Sequence, residues 1–376
     1  MPSLLRSVLA LALLAATLPA QGWGFWAHQR INRLAVFTLP PEMLALYKAN
    51  IEYLTEHAVD PDKRRYAVDG EAARHYIDID RYGTWPFPDL PRDWDSAVAA
   101  FTEDTLQAYG IVPYHLPRAV YQLKAAFEAG DLERILKVSA DLGHYVGDAH
   151  VPLHTTENYN GQLTGQKGIH GFWESRLPEL FATQYDFFVG RSFYVDDIHA
   201  AAWTFVLDSH RALDSVLGFE RELNAAFPPD RKYGYESRGN VVMRVYSRDY
   251  AAAYHDRLDG MVERRMQQAI RFTGSLWYTA WKLADSPDLA PLLDRTLEIS
   301  PQEYERKLRI LDREAMDLGW NGSSYPDYCC IRPQDLVRPP LRPRARAFGL
   351  AQPRSRAPAK PSSWQAWLPL LWSVWV

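Results

Sequence analysis

The chain has 376 residues, 47% of them hydrophobic and 23% charged, enough for one large core or two domains of ordinary globular make-up. A formal net charge of −4 gives no overall basic field to draw nucleic acid or anionic lipid, although bound metal ions would supply positive charge locally. The two cysteines, Cys329 and Cys330, are adjacent and make no disulfide framework, so metal ligands must come from His, Asp and Glu.

Arg6 precedes an apolar run, Val8 to Leu18, that is too short for a stable membrane span. Ala20 and Gly22 then fit the small positions of a signal-peptidase site. Residues 1–22 therefore read as a signal peptide, for secretion or export to a periplasm, with Trp23 as the first mature residue. Ala27–Leu39 carries Ile31, Leu34, Ala35 and Leu39 at helical spacing, and Pro40-Pro41 stops it. Pro41 opens a second helix reaching about His57, and Asp60-Pro61-Asp62 begins a loop. A short element at Glu71–Asp80 precedes a Pro- and aromatic-rich loop, Tyr82–Trp94. Helical periodicity returns at Ser96–Ala108, Arg118–Ala129 and Leu132–Ala149. Pro152–Gly168 reads as a loop. Helices follow at Gly171–Ala182, Asp196–Leu217, Arg248–Leu283 and Gln302–Met316, the third with Tyr250, Tyr254, Leu258, Val262, Met266, Ile270 and Leu276 as its apolar face.

No run alternates with period two between hairpin turns, so the prediction is an all-α protein with a single multi-helix domain over 23–330. Residues 331–376 are Pro/Arg-rich and end in a Trp-rich patch. Such a tail cannot bury enough surface to fold alone. A peripheral contact with a membrane through its end is the alternative to a tail without a role. No protein partner is predicted.

The chemistry concentrates in Asp141–Glu174. His144/Asp148 and His170/Glu174 are two i,i+4 pairs, with His154 between them. Residues four apart share a helix face, and imidazole nitrogen with carboxylate oxygen suits a metal ion. One such pair would read as a surface His–acid contact; two pairs and a fifth donor point to a site for more than one ion. His28, Asp60 and His75 are further candidates, and a free α-amino group at Trp23 would be a nitrogen ligand. His57, His115, His150, His199, His210 and His255 match no such pattern.

Taken in order, WGFWAH (23–28), HAVDPD (57–62), RHYID (74–78), HYVGDAHVPLH (144–154) and HGFWE (170–174) resemble the zinc-dependent phospholipase C / S1-P1 nuclease superfamily. The resemblance implies an all-α enzyme with three zinc ions in one cleft. It assigns one ion to Asp60, His75 and His144, and a second to His154, His170 and Glu174. The third falls to the Trp23 amine and carbonyl with His28, and Asp148 bridges. It also implies hydrolysis of a phosphodiester by a metal-activated water, which Asp60 or Asp148 would orient. Asp78 and Asp80 are candidate outer acids, and the Lys63, Arg64, Arg65 and Arg74 cluster a candidate phosphate grip or a solvated run.

Both phospholipid and nucleic acid fit as substrates. Glu174 in H-x3-E looks like the bacterial phospholipase pattern, where nucleases more often have Asp, and the disulfides usual in the nucleases are missing. The expectation is therefore a phospholipase C-like phosphodiesterase. A nuclease acting on single strands is the first alternative, and a non-enzymatic zinc-binding interaction protein the second.

Overall fold

The computed structural model describes residues 23–238 and 241–293, all within one unit of the chain. The signal-peptide segment, the Gln302–Met316 helix, the cysteines and the tail lie outside the described residues. The described part is helical apart from one hairpin. Among the described residues no helix is long and apolar enough to cross a membrane.

Helix α1 spans Trp23–Ala35, α2 Pro41–Ala49, α3 Ile51–Glu56 and α4 Asp60–Arg64. Short 3-10 turns follow at Ala72–His75 and Ile79–Tyr82. Then come α5 Trp94–Phe101, α6 Glu103–Tyr109, α7 Val112–Ala129 and α8 Leu132–Ala149. After a 3-10 turn at Pro152–Thr155, α9 Ile169–Gly171 runs into a π-helical turn, Phe172–Arg176, and α10 Leu177–Phe181. The chain continues through α11 Ile198–Ala226, strands β1 Tyr233–Arg238 and β2 Val241–Tyr246, α12 Arg248–Arg257, α13 Met261–Leu283 and α14 Ala290–Leu293.

Helix α8 occupies the span that periodicity predicts, because both of its ends carry strong local signals. Gly130, at φ 59°, takes the left-handed turn that ends α7, and the Asp131 carboxylate accepts the Arg134 N–H as an N-cap. Every residue from Ser139 to Ala149 is buried. A helix buried all round needs partners on each face. Leu142, Tyr145 and Val146 enter a large core with Leu46, Tyr47, Leu123 and Trp277. The Trp277 Nε1–H donates to Ser139 O at 3.0 Å, and Tyr47 OH pairs with Ser139 Oγ at 2.8 Å. Full burial of side chains as large as Trp277 contributes about 2–3 kcal/mol each.

A second core gathers Leu153, Ile169, Phe172, Trp173, Leu177, Val216, Tyr250 and Tyr254. The apolar face predicted for Arg248–Leu283 is buried at all seven positions. The predicted single helix there is two, however. Asp259 and Gly260 both adopt positive φ, and Gly260 N-caps α13. Similarly, Thr102 at φ 72° divides Ser96–Ala108, and its hydroxyl caps α6. Asn50 separates α2 from α3.

The hairpin is the element that sequence periodicity does not anticipate. Its antiparallel register sets Tyr233 against Tyr246 and Glu236 against Met243. Tyr246 stacks on Phe172 at 3.9 Å, and Arg176 donates to the Tyr246 carbonyl and pairs with Glu236. Neither strand, YGYESR nor VVMRVY, alternates apolar with polar residues along its whole length, so period two does not mark it.

Candidate metal centre

The predicted i,i+4 pairs both form. His144 Nε2 lies 3.2 Å from Asp148 Oδ2, and His170 Nε2 lies 2.9 Å from Glu174 Oε2. The second pair spans the junction of α9 and the π-helical turn, a widened geometry often found at functional sites. His154 joins it from the 3-10 turn, with Nε2 3.4 Å from Glu174 Oε2.

Around α8 the remaining donors arrive from distant segments. His75 Nδ1 is 3.0 Å from His144 Nε2 and 3.0 Å from Asp148 Oδ2. His28 Nε2 is 3.2 Å from Asp148 Oδ1. The two Asp148 oxygens therefore face different partners, one towards His28 and the other towards His75 and His144.

Asp60 does not join them. Its oxygens accept from His57 Nδ1 at 2.5 Å and Lys63 Nζ at 2.9 Å. Burial pushes its pKa up, but the His57 hydrogen bond and Lys63 outweigh that and hold it below the ordinary range. Asp62 takes the place instead, with Oδ1 3.7 Å from His75 Nδ1 and 3.8 Å from His144 Nε2. The reason is helical phase: residues two apart on α4 point about 200° apart, so only one carboxylate of DPD can face α8. In place of the expected Asp60, it is Asp62 that the structure brings to His75 and His144.

Three groups result: His28, His144 and Asp148; Asp62, His75 and His144; and His154, His170 and Glu174. Each is compatible with a metal ion. Tetrahedral zinc with ligands at about 2.0–2.2 Å sets its donor atoms about 3.3–3.6 Å apart. The separations above, 2.9 to 3.8 Å, straddle that value. The side-chain tautomers also fit. His144 Nδ1 donates to Ala58 O at 2.8 Å and His154 Nδ1 to His75 O at 2.6 Å, leaving each Nε2 lone pair for the centre. The buried Nδ1 atoms of His28 and His170 have no hydrogen-bond partner. None of the six histidines outside the motifs enters a group.

The charges agree with a cation-binding cradle. Burial drives His75 down to about 4, so it is neutral at pH 7. At Glu174 burial pushes upward, but His170 and His154 outweigh it and hold the carboxyl at about 2. Burial pulls His154 down, but Asp148 and Glu174 prevail and raise it to about 9. Burial likewise opposes ionisation of Asp148, yet His144 and His154 keep it well below its ordinary range. In the protein alone, protons on imidazoles balance the buried carboxylates; a metal ion would replace those protons.

Several contributors carry no metal-ligand signal. A Cβ on Gly147 would lie 2.8 Å from His28 Nδ1, and one on Gly143 1.9 Å from Asn32 Oδ1. These glycines let α1 lie close against α8. Asn32 donates to Leu54 O at 3.2 Å and Ala140 O at 3.0 Å, pinning α1, α3 and α8 together. Their i,i+4 spacing within DLGHYVGD was the available clue.

Asp80, a candidate outer acid, touches no candidate ligand but clamps the segment just after His154, accepting from Thr156 Oγ1 at 2.6 Å and Glu157 N–H at 3.0 Å. Asp78 is buried, and its N–H donates to Tyr109 O at 2.7 Å. Each member of the basic cluster, the candidate phosphate grip or solvated run, has an acidic partner. Arg64 pairs with Glu71 and Asp141, Arg74 with Glu71, Arg65 with Asp62 and Lys63 with Asp60. The cut expected before Trp23 lies outside the described residues; Trp23 itself begins α1.

No protein-family model matches the chain, and a search of curated proteins finds no match.

Proposed function

We propose that the chain is a secreted zinc-dependent phosphodiesterase, phospholipase C-like, whose centre holds three zinc ions. The observation that carries this reading is the convergence of eight donors from separate segments: His28, Asp62, His75, His144, Asp148, His154, His170 and Glu174. The groups combine carboxylates with histidines, the nitrogen–oxygen donor set that zinc prefers; two of them share His144, whose single free Nε2 serves the ion beside Asp62 and His75 and leaves His28 and Asp148 for another. A cut before Trp23 would add an amine at the start of the helix that carries His28. Zinc, when bound, supplies Lewis-acid polarisation and lowers the pKa of a water towards neutrality.

The residues themselves do the positioning. Asp148 joins two groups through its separate oxygens. His144 and His154 are locked by their carbonyl bonds. The burial of the donors excludes bulk water, so each charge acts at closer to full strength. Phospholipid is favoured over nucleic acid because the basic residues beside the centre are already paired, Arg64 and Arg74 with Glu71, Arg65 with Asp62 and Lys63 with Asp60. A polyanionic strand needs several free cations along its backbone. Glu174 in H-x3-E supports the same choice.

The test is to express the chain through its signal peptide, measure zinc, and offer phosphatidylcholine vesicles and single-stranded DNA side by side. Lipid headgroup release that a chelator abolishes and zinc restores is expected. DNA cleavage without lipid hydrolysis would replace the substrate assignment. Zinc-loaded protein inert on both, and on a chromogenic phosphodiester, would mark a binding protein instead.

A further inference from the structure

The geometry points to Glu71 as a positioning residue: we infer that its carboxylate accepts the Nε2 proton of His75 and so fixes which nitrogen His75 offers to metal. This rests on the metal reading above and deepens it. His75 turns Nδ1 towards Asp62, His144 and Asp148, at 3.7, 3.0 and 3.0 Å. To bind a cation there it must carry its remaining proton on Nε2. That Nε2 is buried and has no hydrogen-bond partner. The acceptor facing it is Glu71 Oε1, at 3.8 Å. His144 and His154 meet the same need with backbone carbonyls. At His75 the group nearest to this role is a side chain, Glu71.

Glu71 is built for this. It is fully buried, one helical turn before His75, at the start of the Ala72–His75 turn. Arg74 donates to Oε2 at 2.7 Å, and Arg64 Nε lies 3.1 Å from the same oxygen. Tyr145 OH donates to Oε1, and Arg64 Nη2 reaches it at 3.2 Å. These donors hold the carboxylate charged and aimed, with one oxygen lying towards the imidazole edge. A carboxylate behind a ligating histidine orients the ring and raises its basicity.

The alternative role for Glu71 is that of counter-ion to Arg64 and Arg74 alone. Asp141→Asn separates the roles, because it removes another partner of Arg64 without touching His75. The experiment is nitrogen-15 NMR of the zinc-loaded, full-length secreted protein, combined with chelator titration of the wild type, Glu71→Gln and Asp141→Asn. His75 should show a proton on Nε2, slow to exchange, and metal on Nδ1. In Glu71→Gln that proton signal should shift, and one of the ions should bind about 10–100-fold more weakly. Asp141→Asn should leave both unchanged.

The wild-type spectrum decides even if Glu71→Gln fails to fold: metal on Nε2 of His75 overturns the inference. So does an unchanged signal and affinity in Glu71→Gln, or an equal loss in Asp141→Asn, while the zinc reading stands. Wild-type protein that binds no zinc overturns both.

Discussion

The two halves of the centre hold their ligands by different means. His28, Asp62, His75, His144 and Asp148 come from four segments that meet on α8. Their meeting depends on close helix contact, which Gly143 and Gly147 permit and Asn32 pins. His154, His170 and Glu174 come from one stretch of chain, on a 3-10 turn, α9 and the π-helical turn that follows it. Their meeting depends on a loop zipped to Asp80 and to the His75 carbonyl. A helix fixes the ligands on its own face almost for free. Bringing in ligands from elsewhere takes either small residues and buried polar pins, or a clamped loop. Asp148 stands at the seam, with Oδ1 also 3.7 Å from His154 Nδ1.

Asp148→Asn should therefore break the comparison most severely. Losing its charge is expected to empty both groups of the α8 half and leave the His154, His170 and Glu174 group loaded. Activity should fall by more than the roughly 10–100-fold that outer-shell partners cost. Metal analysis that shows loss of one ion only would contradict the shared role. Glu174→Gln is the mirror test, and should cost the second half its ion alone.

Gly147→Ala and Gly171→Ala sharpen the contrast in how the halves are packed. A methyl at 147 meets the His28 ring at 2.8 Å, whereas at 171 nothing lies within 4 Å. The first should lower stability by about 1–3 kcal/mol and weaken metal binding at His28. The second should be neutral or stabilising by up to about 1 kcal/mol, because alanine suits a helix better. Denaturant unfolding curves that shift alike for both variants would contradict this picture.

What the sequence disclosed follows the same division. The α8 span, both i,i+4 pairs and the buried face from Tyr250 to Leu276 were readable, because each is a local pattern with a fixed period. Asp62 was mistaken for Asp60 because DPD offers two carboxylates, and the phase of α4 against α8 decides between them. Glu71 and Asn32 carry no such signal, and Gly147 shows only its four-residue spacing from Gly143. Their roles arise from contacts with residues far away in sequence, such as Glu71 with Tyr145 and Gly147 with His28. Period two does not mark the hairpin because neither YGYESR nor VVMRVY alternates apolar with polar residues along its whole length.

A smaller effect concerns acid. Burial pushes Glu71 upward, but Arg64 and Tyr145 prevail and hold it at about 2, below its ordinary 4.5. Its contribution to stability is thus complete above pH 4.5 and is lost as the pH falls towards 2. Glu71→Gln should flatten the decline of stability across that window, measured on metal-free protein by denaturant titration. An equally steep decline in the variant would contradict the assignment.

The most direct measurement is anomalous diffraction on either side of the zinc edge, from crystals of the secreted protein. Three zinc peaks are expected: one among Asp62, His75 and His144, one beside His28 and Asp148, and one among His154, His170 and Glu174. No zinc signal in these groups, or a peak bonded to Asp60 in place of Asp62, would contradict the proposed centre.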